Sequence, residues 1–177
     1  MRSPPGHASW HAIIQAMMSA DQLIDSLKLQ AHPEGGYYRE TYRSNEKGVF
    51  AAGERNLHTL IYFLLESTSF SAFHRIRSDE SWCYHAGATC TVYVIHPDGT
   101  LETMKTGPSP ENGDNFQIII PANCWFAAEV EGANNFTLVS CGVAPGFDFS
   151  DFELATRDRL CKEFPQHTAL IQSFTRN

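Results

Sequence analysis

Basic side chains are scarce in this chain of 177 residues. It carries 13 lysines and arginines against 20 acidic residues, a net charge of -7, and contains no run of basic residues. A nucleic-acid-binding protein needs a basic surface that displaces counterions from phosphates, so we expect no nucleic-acid partner. No stretch approaches the roughly 18 consecutive apolar residues of a membrane-spanning helix, so we expect no membrane partner either. Residues 1–19 hold one arginine, and Gln15 interrupts their apolar run, which does not fit a signal peptide and predicts a cytoplasmic protein.

Cysteine pairs spaced for zinc or redox chemistry are also missing. The five cysteines are an odd number, and no C-x-x-C occurs, so the spacing favours neither a zinc site nor a disulfide framework. We expect reduced cysteines that pack as small apolar side chains. G-x-S-x-G, P-loop and G-x-G-x-x-G motifs are absent as well, which argues against serine hydrolases and nucleotide-binding folds.

The sequence does contain many short strand-like segments, each bounded by turn residues. Helical patterns occur only near the two ends of the chain. This arrangement predicts an all-β antiparallel sandwich or barrel. The predicted strands are 37–43, 59–65, 70–76, 82–85, 91–96, 101–105, 116–120, 124–129 and 136–141.

The helical patterns bracket a single domain. Apolar residues at helical spacing predict a helix over 10–17, and Ser19-x-x-Gln22 predicts a capping box that starts a new helix. Two further helices are predicted at 157–163 and 168–174. We therefore expect an N-terminal extension at 1–19, helical or disordered, and one domain at 20–177.

Two segments resemble the motifs of the cupin superfamily. In the first, His74, Glu80 and Gly87 match at the family's spacing, whereas Ile76 replaces the second histidine. In the second, I-P-A-N-C-W-F at 120–126, Pro121 matches and Asn123 stands for the glycine. Phe126 stands where the last histidine ligand would be.

Three further blocks narrow the resemblance to the small, uncharacterised cupin family five. They are H-P-E-G-G-Y-Y-R-E at 32–40, the segment 73–82, and V-A-P-G-F-D-F at 143–149. Members of this family are similar in fold to dTDP-sugar epimerases. The resemblance implies a double-stranded antiparallel β-helix (a jelly-roll barrel) with a pocket at one mouth, in a homodimer.

The resemblance also bears on metal binding. Metal-binding cupins use three histidines and one glutamate, and of these only His74 and Glu80 are present here. Cys83 cannot replace a lost ligand, because strand alternation places it on the face opposite Glu80. We therefore expect no metal and no other cofactor.

The surviving pair can still perform acid–base chemistry. Likeness to sugar epimerases implies His74 as the base, Glu80 as its partner, and Tyr84 or Tyr62 as the acid. The alternative is that His74 and Glu80 only form a hydrogen bond across the barrel.

Other residues are candidates for binding a ligand. An inward-facing Arg39 would clamp a carboxylate or phosphate, although an exposed Arg39 paired with Glu40 fits the sequence equally well. The remaining candidates are polar or aromatic: Tyr62, Trp82, Gln117, Trp125 and Phe126. We expect Phe147 and Phe149 to belong to the barrel core.

Two functions are consistent with this pattern. One is a pocket protein for a sugar-like or carboxylate metabolite that acts as a metal-independent isomerase or epimerase. The other is a non-catalytic cupin that binds, senses or stores a small molecule. The fold alone does not decide between them.

Overall fold

Antiparallel strands dominate the computed structural model, which describes residues 18–176. The strands are β1 (Gln30–Ala31), β2 (Tyr37–Arg43), β3 (Lys47–Phe50), β4 (Gly53–Asn56), β5 (Thr59–Glu66), β6 (Phe70–Arg75), β7 (Asp79–Gly87), β8 (Cys90–Ile95), β9 (Leu101–Thr106), β10 (Gln117–Ile120), β11 (Trp125–Val130), β12 (Phe136–Ala144) and β13 (Glu153–Leu154). The helices are α1 (Ala20–Leu27), α2 (Arg157–Glu163) and α3 (Thr168–Ser173).

Two sheets form the barrel. One has the order β1-β2-β5-β12-β7-β10 and the other the order β13-β6-β11-β8-β9, while β3 and β4 form a separate hairpin. The predicted all-β jelly-roll class is confirmed. The short strands β1, β3, β4 and β13 were not predicted, because each has only two or four residues and shows no clear alternation.

Strand alternation divides the apolar side chains between two regions. Trp82 and Phe126 lie in the main core between the sheets, whereas the adjacent Trp125 points outward. There it packs under α2 and α3 against Leu160 and Ile171. The two C-terminal helices thus cover the outer face of the five-stranded sheet.

The N-terminal helix begins where the sequence predicts. The Ser19 hydroxyl accepts the backbone N–H of Gln22, and the Gln22 side chain accepts that of Ser19, which completes the capping box. The helix predicted over 10–17 lies outside the described residues. No helix in residues 18–176 is both long and apolar enough to cross a membrane.

Twofold association remains a prediction. Strand β10 is an edge strand, and Ile119 on it is about half exposed, a combination that proteins usually cover. We expect light scattering at micromolar concentration to give twice the mass of one chain, and we expect Ile119→Lys to reduce it. A wild-type chain that is monomeric under these conditions contradicts the prediction.

Candidate active site

A cavity of about 160 Å³ opens at one mouth of the barrel, between the two sheets. Its floor is polar and its walls and mouth are mostly apolar. The residues that line it are Gln30, His32, Glu34, Tyr38, Glu40, Arg43, Thr59, Ile61, Phe63, His74, Ile76, Glu80, Trp82, Cys141, Val143, Phe147, Phe149 and Phe152.

The turn before β2 delivers Glu34 to the cavity floor. Gly35 and Gly36 both have positive φ, and a Cβ atom on Gly35 would collide with the carbonyl oxygen of Phe70. These glycines allow the close approach that leaves Glu34 only 5% exposed. One carboxylate oxygen of Glu34 accepts the Ser71 hydroxyl at 2.9 Å, so the turn is fixed to β6.

Glu34 holds two histidines through its other oxygen. This Oε2 lies 3.0 Å from Nε2 of His74 and 3.2 Å from Nδ1 of His32. Burial favours the neutral carboxyl, but the charge of His74 and the hydrogen bonds from both imidazoles outweigh it and lower the pKa of Glu34. Glu34 is therefore an ionised carboxylate at neutral pH.

His74 is the cationic partner of this carboxylate. Its Nδ1 lies 2.8 Å from the carbonyl oxygen of Ala72, while Nε2 faces Glu34. Since both neighbouring oxygens only accept hydrogen bonds, both ring nitrogens carry protons. Burial alone would lower the pKa of His74, but the charge and hydrogen bond of Glu34 reverse the effect and raise it. The floor thus contains a buried ion pair.

Glu80 is the second carboxyl group of the floor, and it differs from Glu34. It is 8% exposed, and its Oε1 accepts the indole N–H of Trp82 at 3.1 Å. Burial, aided by the negative charge of Glu34, raises the pKa of Glu80 to about 7. At neutral pH, Glu80 can therefore both donate and accept a proton.

A bulge in β2 brings an arginine to the cavity mouth. The pairing with β5 shifts between Glu40 and Tyr42, so that Arg43 rather than Tyr42 joins Glu40 on the cavity wall. The Arg43 guanidinium contacts both oxygens of Glu40, at 3.0 and 2.6 Å. It also donates to the Asn56 side chain and to the Phe147 carbonyl, each at 3.0 Å.

Three phenylalanines from the segment after β12 form the rim of the cavity. The rings of Phe147 and Phe149 meet edge to face at 5.0 Å, and Phe152 lies 6.3 Å from Phe149. The Phe149 ring stacks on His32 at 6.3 Å and is 54% exposed. The expectation that Phe147 and Phe149 belong to the barrel core is therefore wrong.

The structure brings together only some of the predicted site residues. His74, Glu80 and Trp82 line the cavity. Phe126 lies behind the floor, where its ring centroid is 4.0 Å from that of His74. The predicted pairing of His74 with Glu80 needs correction, because the partner of His74 is Glu34.

The remaining candidates lie away from the cavity. Arg39 pairs across strands with Tyr62, which packs on the outer side near α1. The Tyr84 hydroxyl donates to the Gly87 carbonyl at 2.6 Å, next to an irregularity in the β7–β12 pairing. Gln117 is exposed, and Trp125 stacks with Arg75 under the C-terminal helices.

Sequence reasoning missed several residues of the site. Glu34 lies in the H-P-E-G-G block that carries the family resemblance, and its position there is the available signal for a buried carboxylate. The charged pair at the mouth depends on a bulge, and the positions of the rim phenylalanines depend on loop packing. Neither feature leaves a local signal in the sequence. The missed residues are His32, Glu34, Tyr38, Glu40, Arg43 and Phe152.

The chain also matches a known protein family. A family model described as "Cupin superfamily (DUF985)" matches residues 21–155. The chain belongs to this cupin family.

Similar proteins come from distant organisms. The uncharacterized protein YML079W of Saccharomyces cerevisiae is 34% identical over 148 residues, which cover 75% of this chain and 73% of the relative. A hypothetical protein from Leishmania major is 37% identical, with a TM-score of 0.86. The match covers 90% of this chain and 100% of the Leishmania chain. A Shewanella oneidensis protein is 41% identical, with a TM-score of 0.84. The match covers 90% of this chain and 99% of the Shewanella chain.

The residues present do not fit the metal site of other cupins. Ile76 and Phe126 replace two ligands, and both nitrogens of His74 are already engaged. Within residues 18–176, no three His, Cys, Asp or Glu side chains are grouped so that they could hold a metal ion.

We expect far less than one equivalent of transition metal per chain in protein purified without chelator. Elemental analysis of the wild type and of His74→Ala measures this directly. Stoichiometric metal that disappears in the variant contradicts the prediction.

Proposed function

We propose that the cavity binds a small sugar-like or carboxylate metabolite and that the protein is a metal-independent isomerase or epimerase. The observation that carries this proposal is Glu80, a buried carboxyl group at the cavity floor whose pKa is about 7. A group that exchanges protons near the working pH is suited to general acid–base catalysis.

The proposed reaction begins at a carbon atom next to a carbonyl group of the ligand. Ionised Glu80 removes the proton from this carbon, and the electron pair moves to the carbonyl oxygen. His74 does not donate to this oxygen, because Glu34 and the Ala72 carbonyl already accept both of its N–H groups. Return of a proton to the opposite face of the carbon, from Tyr38 on the cavity wall, completes an epimerisation. Tyr38 then regains its proton from Glu80 through solvent.

This assignment changes the roles implied by the resemblance. His74 already carries protons on both nitrogens, so the role of base passes to Glu80. Neither Tyr84 nor Tyr62 is among the residues that line the cavity, whereas Tyr38 is, so Tyr38 takes the role of acid.

A second candidate function is ligand binding without catalysis. Its support is the Glu34 cluster, in which Ser71, His32, His74 and the Ala72 carbonyl satisfy one another. A hydrogen-bonded network of this kind provides a rigid floor for a ligand and needs no proton transfer.

Hydrogen exchange distinguishes the two functions. Native mass spectrometry of protein purified without denaturation identifies the bound compound, which is then incubated with the protein in D₂O. We expect deuterium to enter at the carbon next to the carbonyl group, with a rate at least about 100-fold lower in Glu80→Gln. The exposed Glu163→Gln serves as the matched control. Binding without exchange in the wild type supports the second function, and a protein that carries no small molecule contradicts both.

A further inference from the structure

We infer that the ligand is an uncharged ring compound with several hydroxyl groups and that the cavity rejects carboxylates and phosphates. The inference rests on the proposed function and narrows its ligand class. It follows from the way in which the charges of the cavity are already paired.

The cation at the floor is not free to bind an anion. Nε2 of His74 faces the Glu34 carboxylate at 3.0 Å, and Nδ1 faces the Ala72 carbonyl. An anionic ligand near His74 would also lie near Glu34 and Glu80, and the low polarity of the surroundings strengthens that repulsion. Neutral hydroxyl groups meet no such penalty, because they can donate to either carboxyl group.

The cation at the mouth is occupied as well. Arg43 makes four hydrogen bonds, two to Glu40 and one each to Asn56 and Phe147. An anion could accept the two hydrogen bonds that Arg43 donates to Glu40 only by displacing the Glu40 carboxylate. That carboxylate would then remain unpaired at the mouth of the cavity. Anion binding therefore requires the loss of a bidentate pair.

The rim indicates the shape of the ligand. Phe147, Phe149 and Phe152 present ring faces and edges above a polar floor. Aromatic rings pack well against the C–H face of a saturated ring or against another flat ring. A hydroxylated ring fits both the polar floor and the aromatic rim. Its hydroxyl groups face Glu34 and Glu80, and its apolar face packs against the rim.

Matched pairs of sugars test the inference. The probes are D-glucose with D-glucuronate, D-galactose with D-galacturonate, and D-glucose with glucose 6-phosphate, measured by ligand-observed NMR and calorimetry. We expect each neutral sugar to bind at least ten times more tightly than its anionic partner. In Glu40→Gln, which frees Arg43, we expect the affinity for each anion to rise at least tenfold relative to the affinity for its neutral partner. Glu54→Gln, which breaks a charge pair on the β3–β4 hairpin, should change neither.

The outcomes separate this inference from the proposed function. Tighter binding of the anionic partners by the wild type overturns the inference and leaves the proposed function intact. If no probe binds, the charge of the compound found by native mass spectrometry tests the inference. An uncharged compound supports the inference, and an anionic compound overturns it. If no probe binds and the protein carries no compound, the proposed function itself fails.

Discussion

Replacing Glu34 by glutamine should lower the free energy of unfolding by about 3–5 kcal/mol, the usual cost of removing one partner from a buried ion pair. The amide leaves His74 either charged and unpaired or forced to lose its proton, and both states are unfavourable in a site that is 3% exposed. Urea unfolding at pH 7 measures the change.

The matched control is Glu153→Gln, which breaks the ion pairs of Glu153 with Arg75 and Arg159. These pairs are partly exposed, so we expect a cost of at most about 1 kcal/mol. Equal losses in the two variants would show that the Glu34–His74 pair does not stabilise the fold.

Glu80→Gln should make the protein more stable than the wild type above pH 8, by about 3 kcal/mol. The folded wild type keeps the Glu80 proton up to about pH 7, whereas the unfolded chain releases it near the ordinary pKa of 4.5. The contribution of protonated Glu80 to the free energy of unfolding is therefore complete below pH 4.5. It is lost as the pH rises through 7. His74, whose pKa is also raised, adds a loss in the same direction above its ordinary pKa of 6.5.

Glu34 has the opposite dependence, because its pKa is lowered and its contribution disappears only in acid. Between pH 5 and 8 the wild-type free energy of unfolding should thus decrease, while that of Glu80→Gln decreases much less. Unfolding curves across this range, with Glu163→Gln as the control, measure the difference. Parallel pH profiles for wild type and Glu80→Gln would contradict the raised pKa of Glu80.

Alternation and turn chemistry predict much of this fold. They place nine strands and the C-terminal helices close to their observed positions, because these features depend on local periodicity. The family motifs add His74 and Glu80, which do lie together at the cavity.

The rest of the site depends on geometry that a local pattern does not encode. A single bulge in β2, which follows Glu40, exchanges Tyr42 for Arg43 on the cavity wall. Arg39 precedes the bulge and lies between two residues that line the cavity, so ordinary strand alternation turns it to the other face of the sheet. The direction of Glu34 is set by the close contact of Gly35 with β6, which only the folded chain creates.

Titration of Glu80 by carbon-detected NMR tests the central claim most directly. The side-chain carboxyl signal, assigned by its loss in Glu80→Gln, should titrate with a midpoint of about 7. That result would make Glu80 a group able to exchange protons at neutral pH within the cavity. A midpoint near the ordinary value of 4.5 would mean that Glu80 is ionised throughout the neutral range, and the proposed acid–base site would be wrong.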